Sequence, residues 1–238
     1  MGAIRPGCSI ASSLTPTNRA RRPSYCAGPG WRAIWLAELT LFSEDAVGRY
    51  LRGTGLVLDL GAMQVRVRCL EPSLSAALAR VYRHFDLIDD DRFVDSQLEL
   101  RAWRDPRRPW RSQLRFLADG TEPFDAAPSS ISLAQLEWGM NWVYAHLFSR
   151  HLLLHAGAVE HSGVGMLMVA SPGSGKSTLT AALSLKGFRV LSDEFGSLRL
   201  HDRMLLPLAK PVALKNASIE LIRAWSDQAV LGPVFLKT

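Results

Sequence analysis

The stretch Ser171–Thr178, SPGSGKST, constrains this chain more than any other eight residues. A mostly apolar run, Val164–Ala170, precedes it. Leu179–Lys186 then continues as a helix and stops at Gly187, a residue suited to the left-handed turn that ends helices. Strand, glycine-rich loop, Lys-Ser/Thr and helix in that order form a phosphate-binding loop. The physics requires these residue types. Gly173 and Gly175 let backbone N–H groups turn inward around phosphate oxygens, and the helix N-terminus adds partial positive charge beneath them. Lys176 supplies a full charge to the outer phosphates, and the Ser177 hydroxyl suits Mg²⁺. The predicted nucleotide contacts are therefore Ser171, Pro172, Gly173, Ser174, Gly175, Lys176, Ser177 and Thr178. One position departs from the usual G-x-x-x-x-G-K-[ST] spacing, which has glycine where this chain has Ala170.

The next element, Phe188–Glu194 (FRVLSDE), reads as a short strand ending in two acids. Asp193 lies 17 positions after Lys176, room for one helix and a turn, so the acids come within reach of the same phosphates. The competing reading is an acid pair facing solvent. Hydrolytic motor ATPases also end an apolar strand in Asp-Glu, but far from the loop, and here Arg189 and Ser192 interrupt the apolar run. A close acid favours phosphotransfer, with one carboxylate taking the proton of an acceptor hydroxyl and the other helping to hold Mg²⁺. Upstream, LLLHAGAVE carries His155, and a turn at His161-Ser162-Gly163 makes a hairpin into the loop strand. Chemistry alone leaves His155 either orienting one of the acids or serving as a satisfied core residue.

The rest of the chain reads as an ordinary α+β region. Leu56–Leu60 and Met63–Cys69 form two strands around Gly61-Ala62, with Val65, Val67 and Cys69 alternating as on a half-buried strand. Ser73–Phe85 reads as a helix, Ser96–Trp103 and Arg111–Ala118 as strands, and Asp119-Gly120 as a turn. Arg101, Arg104, Arg107, Arg108, Arg111 and Arg115 sit between those strands, best read as a solvated turn bent by Pro106 and Pro109. A helix follows Ser132, which with Gln135 fits a capping box. Its Leu133, Leu136, Met140, Val143 and Leu147 recur at helical spacing, and Trp138 and Trp142 read as core packing on a neighbouring stripe.

Net charge is +6, which invites a polyanion partner until its distribution is considered. Residues 1–37 hold five arginines and no acid, leaving 23 basic against 22 acidic residues over 38–238. Only Trp103 and Trp110 interleave the arginine-rich turn, too few aromatics for a nucleic-acid stacking platform. No nucleic-acid partner is expected, and the charged residues around Leu152–Ala170 exclude a membrane span there. Residues 1–30 are rich in Ser, Pro, Gly and Arg and read as a disordered basic extension. Three scattered cysteines support neither a disulfide framework nor a zinc site, so a reducing, cytoplasmic setting is expected.

On these residues the chain resembles the catalytic domain of HPr kinase/phosphorylase. The shared order is His155-Ala156-Gly157, Gly163-Val164-Gly165, Gly175-Lys176-Ser177, Gly187, then Arg189-Val190-Leu191-Ser192-Asp193-Glu194. The likeness is closer to the HPr-kinase-related group called HprK-related kinase A. That group carries a Glu-Trp-Gly-x-Asn-Trp helix, here Glu137–Trp142, and a Lys-Asn segment, here Lys215-Asn216. The resemblance implies that Lys176 and Ser177 hold phosphates and Mg²⁺. It implies that Asp193 is the general base, that Glu194 stands on the metal side, and that His155 lines the same site. It also implies ATP and Mg²⁺ as cofactors, an acceptor bearing a protein Ser/Thr or other hydroxyl, and by analogy a homo-oligomer. The implied fold is α/β, a mixed-sheet P-loop kinase domain of the HPr kinase and phosphoenolpyruvate carboxykinase type, with a smaller α+β N-terminal portion. The expected division is an extension over 1–30, an α+β region over 31–130 and a kinase domain over 131–238, truncated at its C-terminus. Two features depart from the family: Glu194 stands where it has Asp, and its glycine-rich substrate signature is not recognisable in Leu205–Thr238. Two alternatives remain, a small-metabolite P-loop kinase and a non-catalytic nucleotide-gated binding module.

Overall fold

The alternation of Val65, Val67 and Cys69 becomes alternating burial along a strand, with apolar side chains inward and Gln64, Arg66 and Arg68 turned away. The computed structural model describes residues 7–12, 37–38, 43–83, 86–87, 93–107, 109–227 and 229–236. In chain order the first elements are β1 (Gly7–Ser12), β2 (Ala37–Glu38), α1 (Glu44–Arg52), β3 (Leu56–Asp59), β4 (Gln64–Cys69) and α2 (Pro72–Val81). They are followed by β5 (Asp86–Leu87), β6 (Ser96–Trp103), β7 (Gln113–Ala118), β8 (Ala127–Pro128) and α3 (Ser132–Leu147). Seven of these strands form one mixed sheet in the order β2-β5-β3-β4-β6-β7-β8, with β4 and β6 parallel. Val47 and Leu51 of α1, Leu74 and Leu78 of α2, and Leu136 and Met140 of α3 pack with it into one core.

The second half contributes β9 (Leu152–His161), β10 (Val164–Val169), α4 (Lys176–Leu185), β11 (Arg189–Ser192), β12 (Phe195–Arg199) and β13 (Met204–Leu206). The chain then runs through β14 (Val212–Lys215), α5 (Ala217–Trp225) and β15 (Val230–Leu236). The second sheet has the order β10-β9-β12-β13, with β11 also paired to β9. A third, β14-β1-β15, is antiparallel throughout. Val159, Ala181, Ala182, Val190, Val212, Leu214, Ile219 and Ile222 form the second core. The architecture is mixed α/β, with one mixed and two antiparallel sheets.

Three expectations are corrected here. Gly7–Ser12, inside the stretch read as disordered, is a strand because it fills the gap between β14 and β15 and satisfies both ladders; the remaining residues of 1–30 lie outside those described. Helix α3 buries Leu133, Leu136, Met140, Val143 and Tyr144 in the first core, and Tyr144 also stacks on Phe195 of β12 in the loop-bearing sheet. Ser132 and Gln135 form no capping box. A 3₁₀ turn at Ser129–Ile131 already leads into the helix, Ser132 Oγ meets Ser73 Oγ at 3.3 Å, and Gln135 Nε2 donates to Leu114 O at 3.1 Å. Trp138 is 54% exposed and Leu147 49%, whereas Trp142 packs at the core margin with its ring 3.9 Å from that of His146. Part of the helix predicted over Ser73–Phe85 falls outside the described residues, which show it through Val81. Of the arginine cluster, Arg104, Arg107 and Arg111 lie in the β6–β7 connection, Arg101 on β6 pairs with Glu99 at 2.7 Å, Arg115 on β7 pairs with Glu122 at 3.4 Å, and Arg108 lies outside the described residues.

Gly139 shows how closely α3 seats on the sheet: a Cβ there would lie 2.1 Å from Cζ of the buried Phe116. Gly139→Ala is therefore expected to destabilise the protein by about 1–3 kcal/mol despite alanine's higher helix propensity. Urea denaturation checks this, and a stabilised variant contradicts the close seating of α3.

Candidate functional site

Local turn chemistry builds the hairpin that delivers the glycine-rich loop. Ser162 and Gly163 take positive φ of 51° and 82° between β9 and β10. Glu160 staples this turn to the next strand, accepting from Gly163 N at 2.7 Å and from Arg189 Nε at 2.9 Å. The Gly163 amide, followed by Arg189, holds the Glu160 carboxyl below its ordinary value. Arg189, conspicuous in the sequence, is thus engaged in the hairpin. Gly157 on β9 admits α4, because a Cβ there would approach Thr180 Oγ1 to 2.5 Å.

The loop leaves β10 at Ala170 and passes exposed through Ser171, Pro172, Gly173, Ser174 and Gly175 into α4. Gly173 and Gly175 have φ of +82° and +94°, the left-handed region that only glycine enters without strain. Gly175 occupies the N-cap of α4 and brings no side-chain cap, so the first-turn amides of the helix face the loop without an intramolecular side-chain acceptor. Lys176 Nζ folds over the loop and donates to Ala170 O at 2.6 Å and Ser171 O at 3.1 Å. Ala170, the departure from the motif, still supplies the carbonyl that receives the lysine. Ser177 is half-buried in the first turn, and Thr178 Oγ1 donates to Ser218 Oγ of α5 at 2.7 Å. Asn216, of the Lys-Asn pair, takes φ +54° where β14 turns into α5.

Pairing registers locate the acids relative to this loop. Val169 at the end of β10 pairs with Ala156, and on the opposite edge of β9 Ala156 N donates to Glu194 O at 3.3 Å. Val169, Ala156 and Glu194 therefore form one row across the sheet, the outer two separated by two strand spacings, about 10 Å. The glycine-rich loop departs from one end of the row and the two acids occupy the other. His155, next in β9, pairs with Phe195, and its Nδ1 lies 3.4 Å from Glu194 Oε1. Both side chains are open to solvent, at 53% and 41% exposure. The structure brings His155 and Glu194 together, and His155 is not a core residue. The strand predicted over Phe188–Glu194 is shorter. β11 and β12 run along the same edge of β9 with an irregularity after Val190, and the acids fall in the break between them. Ser192 Oγ holds that break, accepting from Glu194 N at 3.3 Å and Phe195 N at 3.1 Å.

Asp193 turns the other way. It is buried, and its Oδ2 accepts from Ala213 N of β14 at 3.0 Å. Burial pushes its carboxyl up to about 6, against the pull of Lys210 and the Ala213 amide. The nearby Glu194 and Glu137 carboxylates push in the same direction as burial. Behind it Lys210 Nζ sits 2.8 Å from Glu137 Oε2, and Tyr82 OH donates to Glu137 Oε1. All three side chains are buried, and burial, with Glu137 beside it, raises the Tyr82 hydroxyl well above its ordinary value.

The folded protein holds the Asp193 proton more tightly than an unfolded chain with a value near 3.8. Stability is thus lost as pH rises from about 4 to about 6 and stays lost above. Asp193→Asn removes that titration, so its stability relative to wild type should improve by on the order of 3 kcal/mol between pH 4 and pH 7. Denaturation series at the two pH values check this, and an unchanged difference contradicts the burial of an ionising Asp193.

Comparison with protein families, with curated proteins and with solved structures found no match to this chain. Among the described residues no group of three or more His, Cys, Asp and Glu side chains is arranged to hold a metal ion. A nucleotide-bound Mg²⁺ does not require one, because phosphate and water supply most of its ligands and one or two protein oxygens suffice. The half-buried Ser177 hydroxyl and the solvent-open Glu194 carboxylate are oxygen donors of the right kind. No helix among the described residues is long and apolar enough to cross a membrane.

Sequence reasoning missed Lys210 and Tyr82 and read Glu137 only as part of a family motif. One signal was available: Lys210 is the single charge in Leu205–Leu214, LLPLAKPVAL, and a lone lysine in an apolar run calls for a buried partner.

Proposed function

We propose that this chain is an ATP- and Mg²⁺-dependent phosphotransferase, similar to the HPr-kinase-related P-loop kinases, that transfers the γ-phosphate to a protein Ser/Thr or another hydroxyl. The observation that carries the reading is the row Val169–Ala156–Glu194, which sets a glycine-rich loop and Glu194 about 10 Å apart at the same end of one sheet, with Asp193 its neighbour in the chain. A triphosphate on the loop would have its outer phosphate directed toward those acids.

In this reading the loop amides and the N-terminus of α4 bind the phosphates, and Lys176 leaves its two carbonyls to neutralise the transferring group. Ser177 and Glu194 are the residues that would hold Mg²⁺, which when bound neutralises charge on the outer phosphates. His155 orients Glu194 from the next strand. Asp193 accepts the proton of the acceptor hydroxyl as its oxygen attacks the γ-phosphorus. The bond from that phosphorus to the bridging oxygen breaks and ADP leaves. A carboxylate with a proton affinity near 6 suits a base better than an ordinary one.

The solvent-open position of Glu194 favours a second assignment in which Glu194, and not Asp193, meets the acceptor. Incubation with γ-labelled ATP and cell extract, followed by the same assay on Asp193→Asn and Glu194→Gln, tests both. The expected result is label on an acceptor, ATP binding retained in Asp193→Asn and transfer lost. Full transfer by Asp193→Asn with loss in Glu194→Gln exchanges the roles. Tight binding with no transfer by the wild-type protein overturns the enzyme reading in favour of a nucleotide-gated module.

A further inference from the structure

The segment Pro207–Ala213 is a strap threaded between the two cores, and its partners on the two sides interleave. Pro207 O accepts from Ala62 N at 2.9 Å, Leu208 N donates to Leu191 O at 2.9 Å, and Ala209 N donates to Leu60 O at 2.9 Å. Lys210 then reaches Glu137 of α3 at 2.8 Å, and Ala213 N closes the strap on Asp193 at 3.0 Å. Contacts at 207, 209 and 210 anchor the strap to the first core; those at 208 and 213 grip the strand end that carries the acids.

The ion pair is more elaborate than stability requires. Lys210 and Glu137 are 4% and 9% exposed, and each oxygen of the Glu137 carboxylate has its own partner, Lys210 on one side and the Tyr82 hydroxyl on the other. Buried pairs of this kind are commonly replaced by apolar groups without loss of stability, so their value lies in geometry. Two bonds to a planar carboxylate fix its rotamer and with it the place of the lysine, three residues before the amide that holds Asp193.

We propose that Glu137 and Lys210 are positioning residues, whose buried ion pair sets the strap so that the Ala213 amide holds the Asp193 carboxylate in place for phosphate transfer. The role given to Asp193 rests on the proposed function; the mechanical link from Glu137 to Ala213 does not. The first core thus becomes part of the device that orients the site acid.

The double variant Glu137→Gln/Lys210→Met removes both charges while keeping the approximate shapes, so neither charge is left buried alone. Three readouts apply to it: thermal stability, hydrogen exchange at the Ala213 amide against β4 and β6 amides, and kcat with ATP affinity. The expected result is a stability close to wild type, Ala213 exchange at least about tenfold faster with β4 and β6 unchanged, and kcat about tenfold lower at unchanged ATP affinity. A merely structural pair would speed exchange in every element together, and that outcome overturns the proposal, as does wild-type exchange at Ala213. If the wild-type protein transfers no phosphate, the proposed function fails while the exchange readout still decides the link. Should the double variant not fold, Glu137→Asp withdraws the carboxylate by one methylene and takes its place in the exchange measurement; unchanged exchange at Ala213 overturns the link. Lys210→Arg, which keeps the charge, should recover part of any loss.

Discussion

Lys176→Ala is expected to eliminate measurable phosphate transfer, a fall on the order of 10³-fold or more, and to weaken ATP binding strongly. The lysine contributes the one full positive charge in the loop and also bridges two carbonyls, Ala170 O at 2.6 Å and Ser171 O at 3.1 Å. Removing it leaves the amides of the loop and of the α4 N-terminus, which carry only partial charges. The loop itself is exposed, so thermal stability should stay near that of wild type and separate this loss from unfolding. Fluorescent-nucleotide titration and a labelled-phosphate assay make the measurement. Transfer within tenfold of wild type would remove Lys176, and with it the loop, from the site.

Lys210→Met as a single change should be the most destabilising polar substitution in the described residues, at about 3–5 kcal/mol. It leaves the Glu137 carboxylate buried with only the Tyr82 hydroxyl for company. Against a total stability of about 5–15 kcal/mol, a loss of that size unfolds a large share of the protein on modest heating. Chemical denaturation should show the double variant with Glu137→Gln more stable than the single one, because no lone charge remains in the interior. A cost below about 1 kcal/mol would mean that water or another group reaches Glu137 in the folded protein.

The two predictions differ in how much of each could be read from the sequence. Lys176 announced itself because loop chemistry is local: eight consecutive residues carry the glycines, the charge and the hydroxyl, and the flanking strand and helix follow from apolar spacing. The β9–β10 hairpin was legible for the same reason, since Ser162-Gly163 sits between two apolar runs. Strand β4 followed from its period-two pattern. Ser132 shows the limit of local signals. The residue fits a helix cap, but the chain enters α3 through a preceding turn and the hydroxyl goes to Ser73 instead. Trp138 likewise lies next to a buried stripe and still faces out, because the close seating of Gly139 on Phe116 fixes the helix rotation.

By itself the sequence determined the loop, its helix, the hairpin that presents it and the spacing that puts two acids just past the end of the following strand. Those features depend on backbone freedom and apolar periodicity within about 40 residues. Tertiary structure alone decided that the two acids part company, Glu194 toward His155 and Asp193 into the interior. It also decided that α3 belongs to the first core, and that Tyr82, Glu137 and Lys210 meet behind Asp193. The physical reason is separation along the chain: Glu137 and Lys210 lie 73 positions apart. Contacts of that range leave no periodic trace, only a single charge in an apolar run whose partner the fold must supply.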